Sequence, residues 1–250
     1  MSVSLDDARS PLRALVVALV VAAVGIVAGT ALVYGSLRAV TSAGIRVTPF
    51  ALIVTSLVLL QGVAFGGVAL AYLRLRGLTA AYLGVRLPSL QEVGAIVVGY
   101  VVALGVAITG ALVVAASGVE AGSNQAAEIG AQNPEVLLLL IPASLLLIGP
   151  GEELLFRGVV QNRLREAFGP VAAVALAAAI FAAIHFLALT GAANARLVSI
   201  VVLFFPSLVF GAVYEFTENL VVPALVHGAY NATLFTLLYV AVRFGGMQPA

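Results

Sequence analysis

Two adjacent carboxylates stand inside an apolar stretch of this sequence. Glu152 and Glu153 follow a run that starts at Val136 and holds no charged residue, and Arg157 comes shortly after them. An ionisable side chain at membrane depth is costly, and it normally faces the protein interior or a wet cavity. A carboxylate in such a place can act as a general base. These three residues are therefore the first candidates for a catalytic site.

Their spacing gives the three charges different places on a helix. Residues four apart share a helix face, so Glu153 and Arg157 can form an ion pair. Glu152 points about a third of a turn away and is free for other work. The competing interpretation is that all three are interfacial charges at a helix end. Interfacial charges would not need so long an apolar run before them.

Both histidines of the chain, His185 and His227, also fall in apolar runs. His185 lies four residues after Phe181, whose ring could fix the imidazole by packing. His227 and Asn231 share a helix face in the same way and can converge on one point. Each of these residues alone could serve only packing or hydrogen bonding between helices. Together with a buried glutamate they supply a general base, a water-orienting imidazole and donors for a tetrahedral oxyanion.

Other intramembrane chemistries lack the residues that they need. The chain has no cysteine, and its only aspartates, Asp6 and Asp7, stand in the N-terminal tail, which excludes an aspartyl dyad within the membrane. Neither the H-E-x-x-H pattern of metalloproteases nor the G-x-S-x-G pattern of serine hydrolases occurs. A glutamate–histidine site remains.

The composition places this site in a membrane protein. Of the 250 residues, 62% are hydrophobic and only 9% are charged, and the net charge of +1 gives no reason to expect a nucleic-acid partner. A spanning helix needs about 20 apolar residues. Apolar runs near or above that length occupy residues 14–37, 47–73, 93–119, 167–195, 197–214 and 219–242, and a seventh starts at Val136. The sequence predicts an all-α, polytopic transmembrane helix bundle of seven spans, or eight if a long run is split.

The seventh run indicates the depth of the site. It is charge-free for 16 residues, which is about 24 Å of helix and too short to cross a bilayer core of about 30 Å. The helix must therefore carry Glu152 inside the membrane, with a break or kink expected at Gly149-Pro150-Gly151. His185 lies about 22 Å from the inner end of its own helix. We expect a catalytic site buried in mid-membrane and open to the cytoplasmic side.

The arginines predict the orientation of the bundle. With the N-terminus inside, eight arginines lie on the cytoplasmic side and four outside, as the positive-inside rule favours. The run from Ala14 lacks a clear cleavage site, so we interpret it as a retained helix of a plasma-membrane protein. Seven spans would put the C-terminus outside. The segment 117–135 is the longest polar loop.

Three short motifs resemble those of one protein family. They are E-E-x-x-x-R at Glu152–Arg157, F-x-x-x-H at Phe181–His185 and H-x-x-x-N at His227–Asn231. Their order and approximate spacing are similar to those of the CAAX-protease and bacteriocin-processing (CPBP, or Abi) family. The resemblance covers Val136 to the C-terminus. It implies a catalytic membrane core over 136–250, preceded over 1–135 by about three spans and a polar loop, in one integrated domain.

The resemblance also implies an activity and a role for each motif residue. The activity would be that of an intramembrane endopeptidase like the Ras-converting CAAX enzymes. Glu152 would be the base that activates water, and His185 would assist it. His227 and Asn231 would hold the oxyanion, while Glu153 and Arg157, with Phe181, would support the site.

Several alternatives stay open at this point. The family is often labelled as metalloproteases, although a metal-free glutamate mechanism is also argued for it. Either no cofactor is required, or Glu152, His185 and His227 bind Zn²⁺ and leave a fourth position for water. The substrate would be a membrane-tethered or membrane-embedded peptide or protein, with prenylated CAAX-type sequences as one candidate. A non-proteolytic scaffold, immunity factor or transporter using the same polar cluster is the competing function, and the sequence predicts no oligomeric state.

Overall fold

The computed structural model describes residues 10–245, and within this range it is built from helices without a β-strand. The helices are α1 (Pro11–Ser42), α2 (Pro49–Arg76), α3 (Leu90–Ser117), α4 (Gln125–Gln132), α5 (Pro134–Arg165), α6 (Pro170–Ala188), α7 (Ala193–Thr217) and α8 (Val221–Phe244). In this range seven of them, all but α4, are long and apolar enough to cross a membrane. The all-α polytopic bundle is thereby confirmed, and the chain is an integral membrane protein. Asp6, Asp7 and Arg9, which entered the predictions above, lie outside the described residues.

Local sequence signals set the ends of these helices. Proline stands in the first turn of α1, α2, α5 and α6, where its missing N–H costs no hydrogen bond. A capping box opens α3, because Ser89 and Glu92 each accept a hydrogen bond from the other's backbone N–H. Gly77 and Gly118 end α2 and α3 with φ angles of 63° and 67°, which a residue with a side chain would adopt only at a cost.

Helix α5 is the centre of the bundle. In its most apolar window 44% of the residues are buried, against 11% in that of α3. A cluster of aromatic rings packs against it, with Phe156 making edge-to-face contacts with Phe65 of α2 and Phe181 of α6. The residues of the first motif therefore lie in the interior of the molecule and not at a helix end.

Helix α5 is not broken at Gly149-Pro150-Gly151, where a break or kink was expected. Gly149–Leu155 is regular α-helix, and the flanking segments Ser144–Ile148 and Phe156–Gln161 are π-helical. Local π turns re-satisfy backbone groups freed by proline, so α5 continues through Pro150 to Arg165.

Two further details differ from the sequence analysis. The polar segment 117–135 contains a helix of its own, α4. Arg157, which was counted among the cytoplasmic arginines, is fully buried within α5 because it pairs with Glu153. Among the described residues six arginines remain on the predicted cytoplasmic side (Arg13, Arg74, Arg76, Arg86, Arg163, Arg165) and four on the other (Arg38, Arg46, Arg196, Arg243). The predicted orientation does not depend on Arg157.

Candidate active site

Glu152 is a buried carboxylate held between two other helices. Its residue is 7% exposed, and its Oε1 accepts a hydrogen bond of 2.8 Å from Gln61 Nε2 of α2. Its Oε2 lies 3.8 Å from Nε2 of His227 on α8. That distance is too long for a direct hydrogen bond. One oxygen is therefore anchored, while the other faces an imidazole across a short gap.

Glu153 fixes the orientation and the tautomer of His227. The Nδ1 atom of His227 lies 2.8 Å from Glu153 Oε1. Because an ionised carboxylate can only accept, this nitrogen carries the hydrogen and donates it. The Nε2 atom of the neutral ring is then an acceptor, and it accepts from Asn231 Nδ2 at 3.1 Å. Glu153, His227 and Asn231 thus form a chain of hydrogen bonds, and the Nε2 atom in the middle of this chain is the one that lies 3.8 Å from Glu152.

Arg157 joins the same network through its ion pair with Glu153. Its Nη1 donates to Glu153 Oε1 at 3.0 Å, as the four-residue spacing predicts. Its Nη2 donates to the backbone oxygen and to Oγ of Ser207 on α7, each at 2.8 Å. The guanidinium carbon lies 4.8 Å from the ring centre of Phe181 and 5.6 Å from that of Phe210. The ion pair thus connects three helices in a region shielded from water.

His185 packs against Phe181, whose ring also packs against His227. Its Nδ1 lies 2.7 Å from the carbonyl oxygen of Phe181, so this nitrogen donates and Nε2 of the neutral ring is an acceptor. The ring of Phe181 is 4.6 Å from that of His185 and 5.7 Å from that of His227. Over residues 10–245 no hydrogen bond joins His185 to Glu152. Its assistance to Glu152 stays a prediction.

The site carries more negative than positive charge when both of its glutamates are ionised. Ionised Glu152 and Glu153 carry two negative charges, and Arg157 supplies one positive charge beside them. Uncompensated charge is expensive in a buried site. A proton on His227 would balance the three charges, but it would turn Nε2 from an acceptor into a donor and would break the hydrogen bond from Asn231. The predicted oxyanion role of His227 needs this protonated form, whereas Asn231 keeps a second amide hydrogen for a substrate in either form.

The three ligands of the zinc alternative do not form a metal site in this arrangement. Within residues 10–245 no group of three or more His, Cys, Asp or Glu side chains is placed so that it could hold a metal ion. The Nδ1 contacts of His227 and His185 do not decide this, because a metal-binding histidine also turns its other ring nitrogen to a carboxylate or a carbonyl. The Nε2 atom of His227, which would have to bind the metal, accepts a hydrogen bond from Asn231 instead. The donor set of Glu152, His185 and His227 therefore does not fit Zn²⁺ here.

The small distance between helices explains the glycines beside Glu152. A Cβ atom on Gly149 would lie 2.6 Å from the carbonyl oxygen of Ala224 in α8. A Cβ atom on Gly151 would lie 2.5 Å from the carbonyl oxygen of Gln61 in α2. These two glycines let α5 approach both helices that touch Glu152.

Sequence reasoning missed three residues of this network: Gln61, Ser207 and Phe210. Gln61 was detectable, because it is the one side-chain amide in the apolar run 47–73 and a polar group at membrane depth is a functional candidate by default. Phe210 stacks on His227 with ring centres 4.5 Å apart. Nothing in the sequence distinguishes Phe210 and Ser207 from the other aromatic and hydroxyl residues of the spans.

The fold and the site define a class: a polytopic membrane protein with a buried glutamate–histidine centre. Residues 134–233 match the model of the family described as type II CAAX prenyl endopeptidase Rce1-like. The match begins with the first residue of α5, ends within α8, and contains all three motifs. The resemblance inferred from the motifs is thereby confirmed for this part of the chain. No curated protein and no solved structure matches the chain.

Proposed function

We propose that this chain is an intramembrane endopeptidase that cleaves membrane-tethered peptides or proteins, with prenylated CAAX-type sequences as the substrate class. The observation that carries the proposal is the geometry of Glu152. This carboxylate is buried, has one oxygen anchored by Gln61, and turns the other toward His227. The family match over the residues that build this centre supports the same activity.

In the proposed reaction Glu152 acts first as a base and then as an acid. Its Oε2 takes a proton from a water molecule while the water oxygen bonds to the carbonyl carbon of the substrate peptide. The carbonyl oxygen becomes an oxyanion, and a tetrahedral intermediate forms. The C–N bond then breaks as protonated Glu152 gives its proton to the leaving amine.

The other polar groups have supporting roles in this proposal. The Nε2 atom of His185 accepts the second hydrogen of the water and so orients it. Asn231 and protonated His227 donate hydrogen bonds to the oxyanion. In a site that excludes water, such hydrogen bonds are usually the largest single contribution to transition-state stabilisation. Glu153 holds His227, and Arg157 holds Glu153.

We also propose that the protein lies in the plasma membrane with its N-terminus in the cytoplasm and its site open to that side. The cationic residues at the inner ends of α2, α3 and α5 support this orientation. Lipid-modified sequences bring their scissile bonds to a membrane surface, which is where a site open to the cytoplasm can receive them.

Cleavage of a quenched fluorescent prenylated peptide by purified protein in detergent tests the proposal. We expect wild-type protein to cleave and Glu152→Ala to lose cleavage while staying folded. Glu92→Gln is the matched control. Glu92 is also 7% exposed, but it pairs with Arg86 at the N-terminal end of α3. This control should cleave like the wild type.

A chelator arm separates the two mechanisms that the sequence left open. Cleavage that survives the chelator supports the metal-free glutamate mechanism. Loss of cleavage with rescue by Zn²⁺ would contradict that mechanism. Normal cleavage by Glu152→Ala, or the absence of cleavage with a library of lipidated peptides, would overturn the proposed function.

A further inference from the structure

We infer that Gln61 is a positioning residue that selects which oxygen of Glu152 acts as the base. The inference rests on the proposed function. Gln61 stands in α2, outside the part of the chain that matches the family, and no motif contains it. Its contact with Glu152 comes from a helix 91 residues away in sequence.

The hydrogen bond between the two side chains has a defined direction. Because an ionised carboxylate can only accept, the amide must present Nε2 to it, and the distance to Oε1 is 2.8 Å. A hydrogen bond to a charged group is stronger than one between neutral groups. It fixes the carboxylate plane and leaves Oε2 as the oxygen that faces His227.

The distance that remains allows one water molecule to bridge the two atoms from the side. Oε2 of Glu152 and Nε2 of His227 are 3.8 Å apart. An oxygen about 2.8 Å from each of them would lie beside the line that joins the two atoms. It would donate to Oε2 and accept from Nε2 of a protonated His227, because the lone pair of the neutral ring already accepts from Asn231. Rotation of the Glu152 carboxylate would close or widen this gap, and the contact with Gln61 opposes that rotation.

The backbone of α2 holds Gln61 in place. Gln61 lies in the π-helical segment Leu57–Ala64, and such segments are frequent at functional sites. Its carbonyl oxygen is where a Cβ atom on Gly151 would collide, at 2.5 Å. The residue beside Glu152 and the residue that binds Glu152 are therefore in direct backbone contact.

The other atom of the Gln61 amide is also notable. Gln61 Oε1 is buried and, within residues 10–245, has no hydrogen-bond partner. An unmet acceptor is costly, so packing alone does not account for an amide at this position. The acceptor belongs to the amide group that binds Glu152, where a water or a substrate N–H could meet it.

Kinetics of three variants test the inference. Gln61→Met keeps the length of the side chain and removes the donor, and we expect kcat to fall about 10- to 100-fold while KM changes less than about 2-fold. Gln61→Glu puts a second carboxylate against Glu152 and should lower kcat further. If Gln61 only packs, Gln61→Met should leave kcat at the wild-type value.

Gln161→Met is the matched control. Gln161 is also buried, also has an unpartnered Oε1 among the described residues, and donates to the backbone oxygen of Gly211 and to Glu215. None of its hydrogen bonds within residues 10–245 reaches Glu152. We expect this variant to lose thermal stability but to keep kcat.

An infrared measurement separates this inference from the proposed function. The carboxylate band of Glu152 is identified by its loss in Glu152→Gln, and we expect Gln61→Met, but not Gln161→Met, to shift it at constant pH. If Gln61→Met shifts the band but the wild-type protein cleaves no substrate, the contact between Gln61 and Glu152 is supported and the proposed function is overturned. Wild-type kcat or an unshifted band in Gln61→Met, beside an inactive Glu152→Ala, would overturn the inference alone.

Discussion

At the scale of single residues, Glu153 has two partners where the sequence predicted one. The four-residue spacing indicated its ion pair with Arg157, and the structure contains that pair. The same carboxylate oxygen also accepts from His227. Because Glu153 and His227 stand 74 residues apart, helix periodicity could not indicate this second contact. The network depends on Arg157, whose charge offsets that of Glu153.

Replacing Arg157 should cost far more stability than replacing an exposed arginine. Arg157→Met strands a fully buried Glu153, and breaking a buried ion pair costs about 3–5 kcal/mol. Arg165→Met is the control, because Arg165 pairs with Glu215 while 36% of its side chain is exposed. Such a surface pair contributes about 0–1 kcal/mol. Thermal unfolding in detergent should show a large fall in Tm for the first variant only, and equal Tm values would contradict the bracing role of Arg157.

The sequence predicted those candidate residues that stand in runs where polar side chains are rare. Glu152, His185 and His227 stand out because charged and imidazole side chains are few in apolar runs. Gln61 obeys the same rule but belongs to no motif. Ser207 enters the site partly through its backbone oxygen, which no side-chain pattern can reveal.

At the scale of helices, α5 shows why a Gly-Pro-Gly segment has two interpretations. Glycine and proline are typical of helix breaks, but glycine also permits close approach of two backbones. The structure shows the second use, since Gly149 faces α8 and Gly151 faces α2. The choice depends on residues that are remote in sequence, namely Ala224 and Gln61. The sequence alone therefore predicted an irregularity at three residues that are α-helical, whereas the π-helical irregularities lie in the segments on either side of Gly149–Leu155.

A single methyl group at Gly151 should disturb the site. In Gly151→Ala the new Cβ atom would lie 2.5 Å from the carbonyl oxygen of Gln61, and backbone cannot yield as a side chain can. We expect a lower Tm and a loss of cleavage, because α2 must move away together with Gln61. The control is Gly67→Ala in the same helix α2, where a Cβ atom meets nothing within 4 Å.

Gly67→Ala should be neutral or slightly stabilising, since alanine is favoured over glycine in a helix by about 1 kcal/mol. The comparison requires thermal unfolding and cleavage assays of both variants. Wild-type Tm and cleavage in Gly151→Ala would mean that α2 and α5 are not in the close contact described here.

At the scale of the whole molecule, the number of spans and their order follow from composition. Each apolar run became one spanning helix, because a bilayer leaves a polar backbone no alternative to internal hydrogen bonding. The polar segment before α5 was harder to predict. It contains α4, and its residues Gly122 and Ser123 bond to the chain around Thr190 and Ser199. These tertiary contacts tie the connection between α3 and α4 to the α6–α7 connection and to the start of α7.

The orientation of the bundle is the remaining global prediction, and the sequence offers a clean way to measure it. Because the chain has no cysteine, a single introduced thiol reports on its own position. Glu120→Cys places it in the exposed connection before α4, and Leu87→Cys places it at a 90% exposed position before α3. In intact cells a membrane-impermeant thiol reagent should label the first variant, and it should label the second only after permeabilisation.

The two variants are controls for each other, because they lie at opposite ends of α3. The reverse labelling pattern would put the arginine-rich ends of α2, α3 and α5 outside and contradict the positive-inside assignment. Such a result would leave the network around Glu152 intact but would change its substrate. A site open to the outer face could not receive lipidated proteins from the cytoplasm. Orientation and substrate class are thus linked, and this labelling experiment tests the orientation that the proposed substrate class requires.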